Sequence, residues 1–343
     1  MSRPLVSIIV TNYNYAAYLA QSIDSALGQT YDNVEVVVVD DGSSDNSKEI
    51  IEGYGDRVKP VLKANGGHGS AANAGFAAST GDIIIFLDAD DLLYPHTVER
   101  VVEVWRPGIA SLQYYLDLID AEGKQLGERY PDYKLMNGDL KELVLDCGYY
   151  PFAGTCASAY DRNVMAEIMP MPESEWRSAI DLYHSMTSVF FGEIMSLDEA
   201  LACYRMHTVN ESFDRTGVTP DVLRKRIAVH RAMLEAIGRI CAGQGITVPD
   251  DLPLRTPNYV KHRLLLLRVD KEGYPWPDNK PMALALAGIK ATWRFPFHGL
   301  RKKILVTFGF LVMALAPLGM LKRVTNAAVL ENERPGLLFS LLK

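Results

Sequence analysis

Apolar runs and segments of helical spacing alternate through the first hundred residues. Residues 58–62 are a strand candidate, and three runs are almost continuously apolar: residues 5–10, 34–39 and 83–87. Runs of this kind are typical of strands that are buried on both faces of a sheet. Between them, residues 18–27 and 48–53 have helical spacing, and GGHGSAANAG (66–75) opens a further helix. The alternation predicts an α/β fold with a Rossmann-like, mostly parallel sheet and helices on both faces.

A polar cluster follows each of these three runs. The clusters are TNYN (11–14), DDGSSD (40–45) and DADD (88–91). In a parallel sheet, functional loops lie at the carboxyl ends of the strands. We therefore expect these three clusters to converge on one edge of the sheet and to form a site there.

The third cluster places Asp88, Asp90 and Asp91 within four positions. Their mutual repulsion costs free energy unless a cation or hydrogen-bond donors compensate it. A divalent cation would do so, since Mg²⁺ takes one or two protein carboxylates and completes its shell with water and phosphate oxygens. The alternative is a solvated turn in which Asp91 caps a helix over residues 92–105.

The rest of the chain divides into less regular parts. Residues 106–215 contain short strand candidates, and an amphipathic helix is predicted from Thr219 to about Ile240, with Pro220 in its first turn. Four parts are therefore expected: residues 1–105, 106–215, 216–281 (a helical extension and a Pro- and Gly-rich linker) and 282–343.

Composition and charge narrow the choice of partners. The chain is 48% apolar and 22% charged, as in ordinary globular proteins, and its net charge of −7 does not favour a nucleic-acid partner. Residues 282–343 carry nine Lys or Arg against two Glu, so the remaining residues carry a net charge of −14. Four cysteines without metal-binding spacing and a start without a secretion signal favour a cytoplasmic location.

The basic C-terminal part contains 18 uncharged residues, 304–321, flanked on both sides by Lys and Arg. A membrane span needs about 20 apolar residues, and this segment is interrupted by Gly and Pro. A helix lying in the plane of a membrane fits better. We expect peripheral attachment to the inner membrane face through residues 282–323; a buried or oligomer-contact helix is the alternative.

Six motifs occur in an order that resembles one family. They are SIIVTNYN, VVVVDDGSSD, NGG…AANAG, FLDADD, PESEWRSAID and YRMHTVNES, across residues 4–213. This series resembles the family 2 glycosyltransferases of the GT-A fold. The resemblance implies an inverting transferase that moves a sugar from a nucleotide-diphosphate donor, most commonly UDP-linked, to an acceptor hydroxyl. It also implies a divalent metal, Mn²⁺ or Mg²⁺, and an acceptor that is a lipid-linked or cell-envelope glycan.

The resemblance implies a role for five donor-binding residues: Thr11, Tyr13, Asp40, Asn73 and Asp88. Thr11 and Tyr13 would line the base pocket, where the Tyr13 ring is available for stacking. Asp40 would accept a hydrogen bond from a nucleobase N–H. Asp88 would lie near the ribose or the metal.

The metal and phosphates would be held nearby. Asp90, with Asp88, would bind the metal, and His207 is either a contact to the diphosphate or metal or a structural histidine. Family members often carry an Arg at the position of Ala72, so one expected cationic contact to the donor phosphates is absent here. The phosphates would instead bind the backbone N–H groups at the start of the helix near residue 68, or His207. The remaining histidines, among them His68, receive no role.

Asp181 matches the acidic position that serves as general base in the family, taking a proton from the acceptor hydroxyl. Glu173 and Glu175 are the alternatives. Two rival functions remain open: a nucleotidyltransferase, which would need a Gly-rich phosphate loop after the first strand, and a catalytically silent nucleotide-sugar-binding or scaffold protein, which would not need Asp181.

Overall fold

The computed structural model describes residues 3–207, 219–277, 280–319 and 321. The described residues form two compact units. The first draws on residues 1–142, 150–208 and 239–244, and the second on residues 143–149, 209–238 and 245–343.

The first half of unit one alternates strands with helices, as predicted. Its elements are β1 (Val6–Asn12), α1 (Ala16–Leu27), β2 (Val34–Asp40), α2 (Ser47–Gly53), β3 (Lys59–Leu62), α3 (His68–Ala78) and β4 (Ile83–Asp88). The four strands pair in parallel in the order β3–β2–β1–β4. The predicted strands therefore match the observed ones to within two residues at each end.

The rest of unit one extends this sheet with mixed pairing. The further elements are β5 (Leu92–Leu93), α4 (Thr97–Val104), β6 (Ile109–Ile119), β7 (Gln125–Tyr130), β8 (Ser158–Asp161), α6 (Arg162–Ile168), α7 (Ile180–Ser188) and β9 (Glu193–Arg205). A further helix, α5 (Lys141–Cys147), begins in unit one, but its residues 143–147 belong to unit two. The sheet continues β4–β8–β6–β9–β5, and β7 pairs with β6. β8 is antiparallel to both neighbours, whereas β6 and β9 are parallel. The α/β sheet is therefore mixed, and the continuous parallel part is its N-terminal half.

Helices cover both faces of the sheet. Ile8 and Ile85 point to the face on which Leu19 and Ile23 of α1 are buried in one apolar cluster. On the other face α3 approaches so closely that a Cβ at Gly75 would lie 2.3 Å from the side chain of Ile9. The fold class predicted from the apolar runs is therefore confirmed.

The helix predicted over residues 92–105 begins later than expected. Leu92 and Leu93 form β5, pairing with Cys203 and Ala202 of β9, and α4 begins only at Thr97. The long-range pairing with β9 overrides the helical spacing of these residues, because it satisfies their backbone hydrogen bonds at the sheet edge.

Unit two is helical. It contains most of α8 (Pro220–Gly243), together with α9 (Leu252–Arg255), α10 (Pro257–Val269), α11 (Pro281–Arg294) and α12 (Leu300–Leu315). The Thr219 hydroxyl accepts the Val222 N–H at 3.3 Å, as the predicted cap requires. The expected linker region contains α9 and α10. Pro253 and Pro257 lie in the first turns of these helices, where a missing N–H costs no hydrogen bond.

The last two helices of unit two expose large apolar side chains. Those that are most exposed are Leu286, Trp293, Leu300, Ile304, Leu305, Phe308 and Leu315. Among the helices of the described residues, none is long and apolar enough to cross a membrane. Residues 322–343, which include four of the nine Lys or Arg residues of the C-terminal part, lie outside the described part of the chain.

Candidate active site

The polar clusters that follow β1, β2 and β4 meet at one edge of the sheet. The parallel register places Asn12 beside Asp40 and Thr11 beside Asp88. The predicted convergence of TNYN, DDGSSD and DADD is therefore confirmed, and it brings three strand ends to one cleft.

Asp40 is held in place by two hydrogen-bond donors. Its Oδ1 accepts a hydrogen bond from the side-chain amide of Asn12 at 2.8 Å, and its Oδ2 accepts one from the Ser43 N–H at 3.0 Å. Each carboxylate oxygen has a second lone pair, so Asp40 can still accept an N–H from a nucleobase. Tyr13 is 46% exposed, as a ring that stacks on a base must be. The supporting role of Asn12 was not predicted.

His68 joins Thr11 and Asp88 in a triangle of polar contacts. Its Nε2 lies 3.1 Å from the Thr11 hydroxyl and 3.1 Å from Oδ1 of Asp88. The Thr11 hydroxyl is 3.4 Å from the same Asp88 oxygen. His68 received no role from the sequence, because its proximity to Asp88 depends on α3 packing beside β1.

The N-terminus of α3 is occupied by the backbone of residues 176–177. The N–H groups of His68 and Gly69 donate to the carbonyls of Arg177 and Trp176, at 2.8 and 3.1 Å. The expectation that donor phosphates bind these N–H groups is therefore wrong, because both donors are already used within the protein. These N–H groups therefore do not replace the phosphate contact that an Arg at position 72 would supply.

Two glycines make this close approach feasible. A Cβ at Gly69 would lie 2.1 Å from the Trp176 carbonyl oxygen, and one at Gly67 would lie 3.0 Å from Arg177. Gly67 also has φ +92°, a region that favours glycine. The Gly-rich motif therefore attaches the segment before α7 to the edge of the sheet.

Asn73 strengthens the same attachment. Its amide nitrogen donates to the Met171 carbonyl at 2.9 Å, and its amide oxygen accepts the Met171 N–H at 2.8 Å. The predicted donor-binding role of Asn73 does not fit this geometry, because both ends of the amide are bonded to the backbone. Asn73 instead fixes the chain that leads towards Asp181.

Asp181 lies in the first turn of α7. Its Oδ1 accepts the Leu182 N–H at 2.9 Å. Burial raises the pKa of Asp181; the Leu182 N–H opposes this shift, Asp88 raises the pKa further and His68 lowers it. Asp181 therefore lies within electrostatic range of both Asp88 and His68, although about a hundred residues separate it from them in the sequence.

The two alternative bases are engaged in other contacts. Glu175 pairs with Arg239 at 3.2 Å, and Glu173 lies 3.4 Å from the amide nitrogen of Asn73. Asp181 as the base stays a prediction, with the two alternatives bonded to Arg239 and Asn73.

Backbone strain is concentrated beside these residues. Within the described ranges, the non-glycine residues with positive φ are Asn14, in the TNYN loop, and Ala179, two positions before Asp181. This conformation costs roughly 1–2 kcal/mol for a residue with a Cβ. Strain of this kind is common at binding and catalytic sites, where the surrounding structure enforces it.

Asp90 contacts His207. His207 Nε2 lies 2.9 Å from Asp90 Oδ2, and the His207 ring stacks on Tyr18 with 5.0 Å between ring centres. His207 therefore lies beside Asp90, and its contact with the diphosphate or the metal stays a prediction. The chain beyond His207, to residue 218, lies outside the described residues.

Asp91 does not cap a helix. It is buried, its Oδ1 accepts the Arg205 N–H at 2.9 Å, and its Oδ2 accepts the Cys156 S–H at 2.9 Å. The Arg205 side chain also donates to the Asp90 carbonyl at 2.8 Å. Hydrogen bonds from Arg205 and Cys156 thus stabilise the third carboxylate of the cluster. The sequence did not predict these partners. Cys156, like the other three cysteines, is a buried free thiol.

Asp88 and Asp90 remain as candidate ligands for a divalent cation. Burial and the neighbouring Asp88 carboxylate raise the pKa of Asp90, against the opposing effect of His207. Asp88 and Asp90 therefore repel each other, and a cation would remove that repulsion. In the described ranges, no three or more His, Cys, Asp or Glu side chains are grouped so as to hold a metal by themselves. Phosphate oxygens would complete the shell, as is usual for Mg²⁺.

Comparison with known proteins identifies the family. Residues 7–169 match the family model "Glycosyl transferase family 2". An uncharacterized glycosyltransferase of Nostoc sp. is 35% identical over 264 residues, which cover 74% of this chain and 82% of the Nostoc protein. One of Rickettsia felis is 47% identical over 149 residues, covering 41% of this chain but only 24% of that longer protein.

Solved structures share the fold at low sequence identity. TarS of S. aureus (residues 1–349), in complex with UDP-GlcNAc, has a TM-score of 0.56 at 16% identity, covering 91% of this chain and 93% of that one. The mannosyltransferase PcManGT of Pyrobaculum calidifontis, in complex with GDP-Man and Mn²⁺, has a TM-score of 0.50 at 16% identity, covering 98% and 89%. The sheet, the order of the motifs and the Nostoc relative agree: the chain belongs to glycosyltransferase family 2 and has the GT-A fold.

Proposed function

We propose that this protein transfers a sugar from a nucleotide-diphosphate donor, most simply UDP-linked, to an acceptor hydroxyl with inversion at the anomeric carbon. The carrying observation is that Thr11, Asp40 and Asp88 end at one edge of the sheet, where the N–H groups that open α3 also bind the backbone of residues 176–177, just before α7. This arrangement supports Asp181, in the first turn of α7, as a base beside the donor residues. Two fold neighbours, TarS and PcManGT, were solved with UDP-GlcNAc and with GDP-Man and Mn²⁺.

The donor side is built from residues that are already oriented. Asp40, held by Asn12 and Ser43, accepts the nucleobase N–H, and the exposed Tyr13 ring stacks on the base. Thr11 lies between this pocket and Asp88. Orientation before binding lowers the entropic cost of donor binding.

Asp88 and Asp90 would hold a divalent metal, Mn²⁺ or Mg²⁺, together with the donor diphosphate, with His207 beside Asp90. Carboxylate ligands suit both metals. When bound, the metal would neutralise charge that develops on the departing diphosphate.

Asp181 acts as general base. It takes the proton of the acceptor hydroxyl as that oxygen attacks the anomeric carbon from the side opposite the leaving group. The raised pKa of Asp181 supports this role, because a carboxylate with higher proton affinity accepts a proton more readily. A single displacement of this kind inverts the configuration of the sugar.

We further propose that the protein is cytoplasmic and attaches to the inner membrane face, where a lipid-linked or cell-envelope glycan serves as acceptor. The exposed apolar side chains of α11 and α12 support attachment, together with Arg301, Lys302 and Lys303 at the start of α12. Apolar side chains beside cations are typical of helices that lie on anionic bilayers.

The test is donor binding and hydrolysis across a panel of nucleotide sugars, with Mn²⁺, Mg²⁺ or EDTA. We expect metal-dependent selection of one donor. Asp181→Asn should retain donor binding and lose transfer. Failure to bind any donor would favour a silent scaffold, and full turnover by Asp181→Asn would move the base elsewhere.

A further inference from the structure

A cavity of about 580 Å³ lies in unit one, apart from the residues assigned to donor, metal and base. It is bounded by β6, β9 and the segment 131–137. Its lining includes Tyr115, Arg129, Tyr133, Lys134, Asn137 and Asp198. This volume is typical of sites for small molecules.

The segment 131–137 is fixed to its surroundings. The Tyr133 hydroxyl donates to the Phe152 carbonyl at 2.7 Å. The side-chain oxygen of Asn137 accepts the Ser196 N–H at 2.7 Å. The cavity is therefore preformed, and a ligand would not have to order this segment on binding.

The lining combines aromatic and polar side chains. The Arg129 guanidinium lies 5.0 Å from the centre of the Tyr115 ring and 3.3 Å from the Asp198 carboxylate. Tyr115 is itself buried, so Tyr133 supplies the partly exposed ring of the lining. Rings of this kind pack against the apolar face of a sugar, while the polar groups around them can bond its hydroxyls.

The charges of the lining cancel. Two cations, Arg129 and Lys134, are matched by two carboxylates, Asp132 and Asp198. The lining therefore has no net charge with which to select an anionic ligand. A neutral molecule with many hydroxyls suits it better.

Tyr130 links the cavity to the DADD cluster. It ends β7 directly before Pro131, which lines the cavity, and its ring stacks on Tyr204 with 5.9 Å between ring centres. Arg205, the residue after Tyr204, donates from its side chain to the Asp90 carbonyl at 2.8 Å. The cavity is thus connected through β9 to the edge that holds Asp90.

We propose that this cavity is an acceptor subsite for neutral oligosaccharides, binding sugar rings beyond the hydroxyl that receives the new sugar. The inference rests on the proposed glycosyltransferase function and names the chemical class of its acceptor.

The test uses an array of neutral and uronic-acid-containing glycans, from mono- to hexasaccharides, probed with the full chain in the presence of UDP and Mn²⁺. We expect binding to neutral oligosaccharides, weakened about tenfold in Tyr133→Ala through loss of the ring contact. Tyr133→Phe keeps the ring and loses only the bond to the Phe152 carbonyl, so it should bind more tightly than Tyr133→Ala. Lys134→Ala tests the polar rim, with the exposed Lys124→Ala as its matched control.

Each outcome bears on a different proposal. Unchanged glycan binding in both Tyr133→Ala and Lys134→Ala, or a preference for uronic acids, would overturn the subsite. So would a wild-type protein that binds UDP but no glycan, although the glycosyltransferase proposal would then survive. A wild-type protein that binds neither UDP nor any nucleotide sugar would overturn the proposed function itself.

Discussion

The imidazole Nε2 of His68 lies 3.1 Å from Oδ1 of Asp88, so that the first turn of α3 orients a carboxylate at the end of β4. The Thr11 hydroxyl contacts both groups. Asp88 is thus held from two sides before any ligand arrives. A group that positions a metal-binding or donor-binding carboxylate influences binding without touching the reacting atoms.

His68→Ala should weaken Mn²⁺-dependent donor binding or turnover by roughly 10–100-fold, the usual effect of losing a group that orients a metal ligand. Calorimetric titration of UDP with and without Mn²⁺ measures this. His96→Ala, at an exposed position, is the control. If His68→Ala binds UDP and Mn²⁺ as wild type does, His68 only fills space.

The rate of transfer should fall at acid pH because Asp181 must be ionised to accept a proton. Burial and Asp88 raise the pKa of Asp181, so kcat/KM should decline as pH falls through a value above the ~3.9 of an ordinary Asp. Initial rates against pH test this, with donor affinity measured at each pH to exclude loss of binding. A rate that stays constant down to pH 4 would contradict the assignment.

Gly69→Ala should destabilise the protein and impair transfer. The new Cβ would lie 2.1 Å from the Trp176 carbonyl oxygen, and forced overpacking typically costs about 1–3 kcal/mol. Displacement of residues 176–177 should also disturb Asp181. Urea unfolding and turnover measure the two effects.

Gly238→Ala is the matched control for this substitution. It lies within α8 and its Cβ would meet nothing within 4 Å, so it should leave stability unchanged or raise it by up to about 1 kcal/mol. Equal stability of the two variants would show that the Gly69 contact is adjustable.

His184 should make the protein less stable in mild acid. It is buried and stacked on Phe86, its Nε2 has no hydrogen-bond partner among the described residues, and burial lowers the pKa of His184 to about 3. Between pH 7 and pH 5 the unfolded chain binds a proton at this position and the native chain does not. The free energy of unfolding therefore falls as pH falls, by about 2 kcal/mol at pH 5 from this residue.

His184→Phe should remove that part of the pH dependence while keeping the aromatic stack. Urea unfolding at pH 7 and pH 5 measures it, and His96→Phe provides an exposed control. The same loss of stability in His184→Phe as in wild type would assign the acid sensitivity to other groups.

Phe308→Ser should weaken binding to anionic lipid vesicles. Phe308 is 64% exposed on α12, and burying such a side chain in lipid contributes roughly 1.5–3 kcal/mol. Co-sedimentation with phosphatidylserine-containing vesicles measures the change, and Leu126→Ser, on the exposed β7, is the control. Wild-type binding by Phe308→Ser would contradict the placement of α12 at the membrane surface.

The residue pattern alone predicts the alternating strands and helices of the first hundred residues and the edge at which three polar clusters meet. Buried strands leave continuous apolar runs and helices leave a period of 3.6 residues, and both signals are local. The motifs indicated the family, and the family resemblance indicated Asp181 as the candidate base.

Only the tertiary structure decided which partners these residues take. Asn73 binds Met171 at a separation of 98 residues, and Asp91 binds Arg205 at 114. The contact of His68 with Thr11 spans 57 residues. No local pattern records such pairs, because they depend on how strands and helices pack. The sequence therefore predicted where the carboxylates lie, whereas the packing decided that Asp91 and Asn73 hold the fold and that His68 orients Asp88.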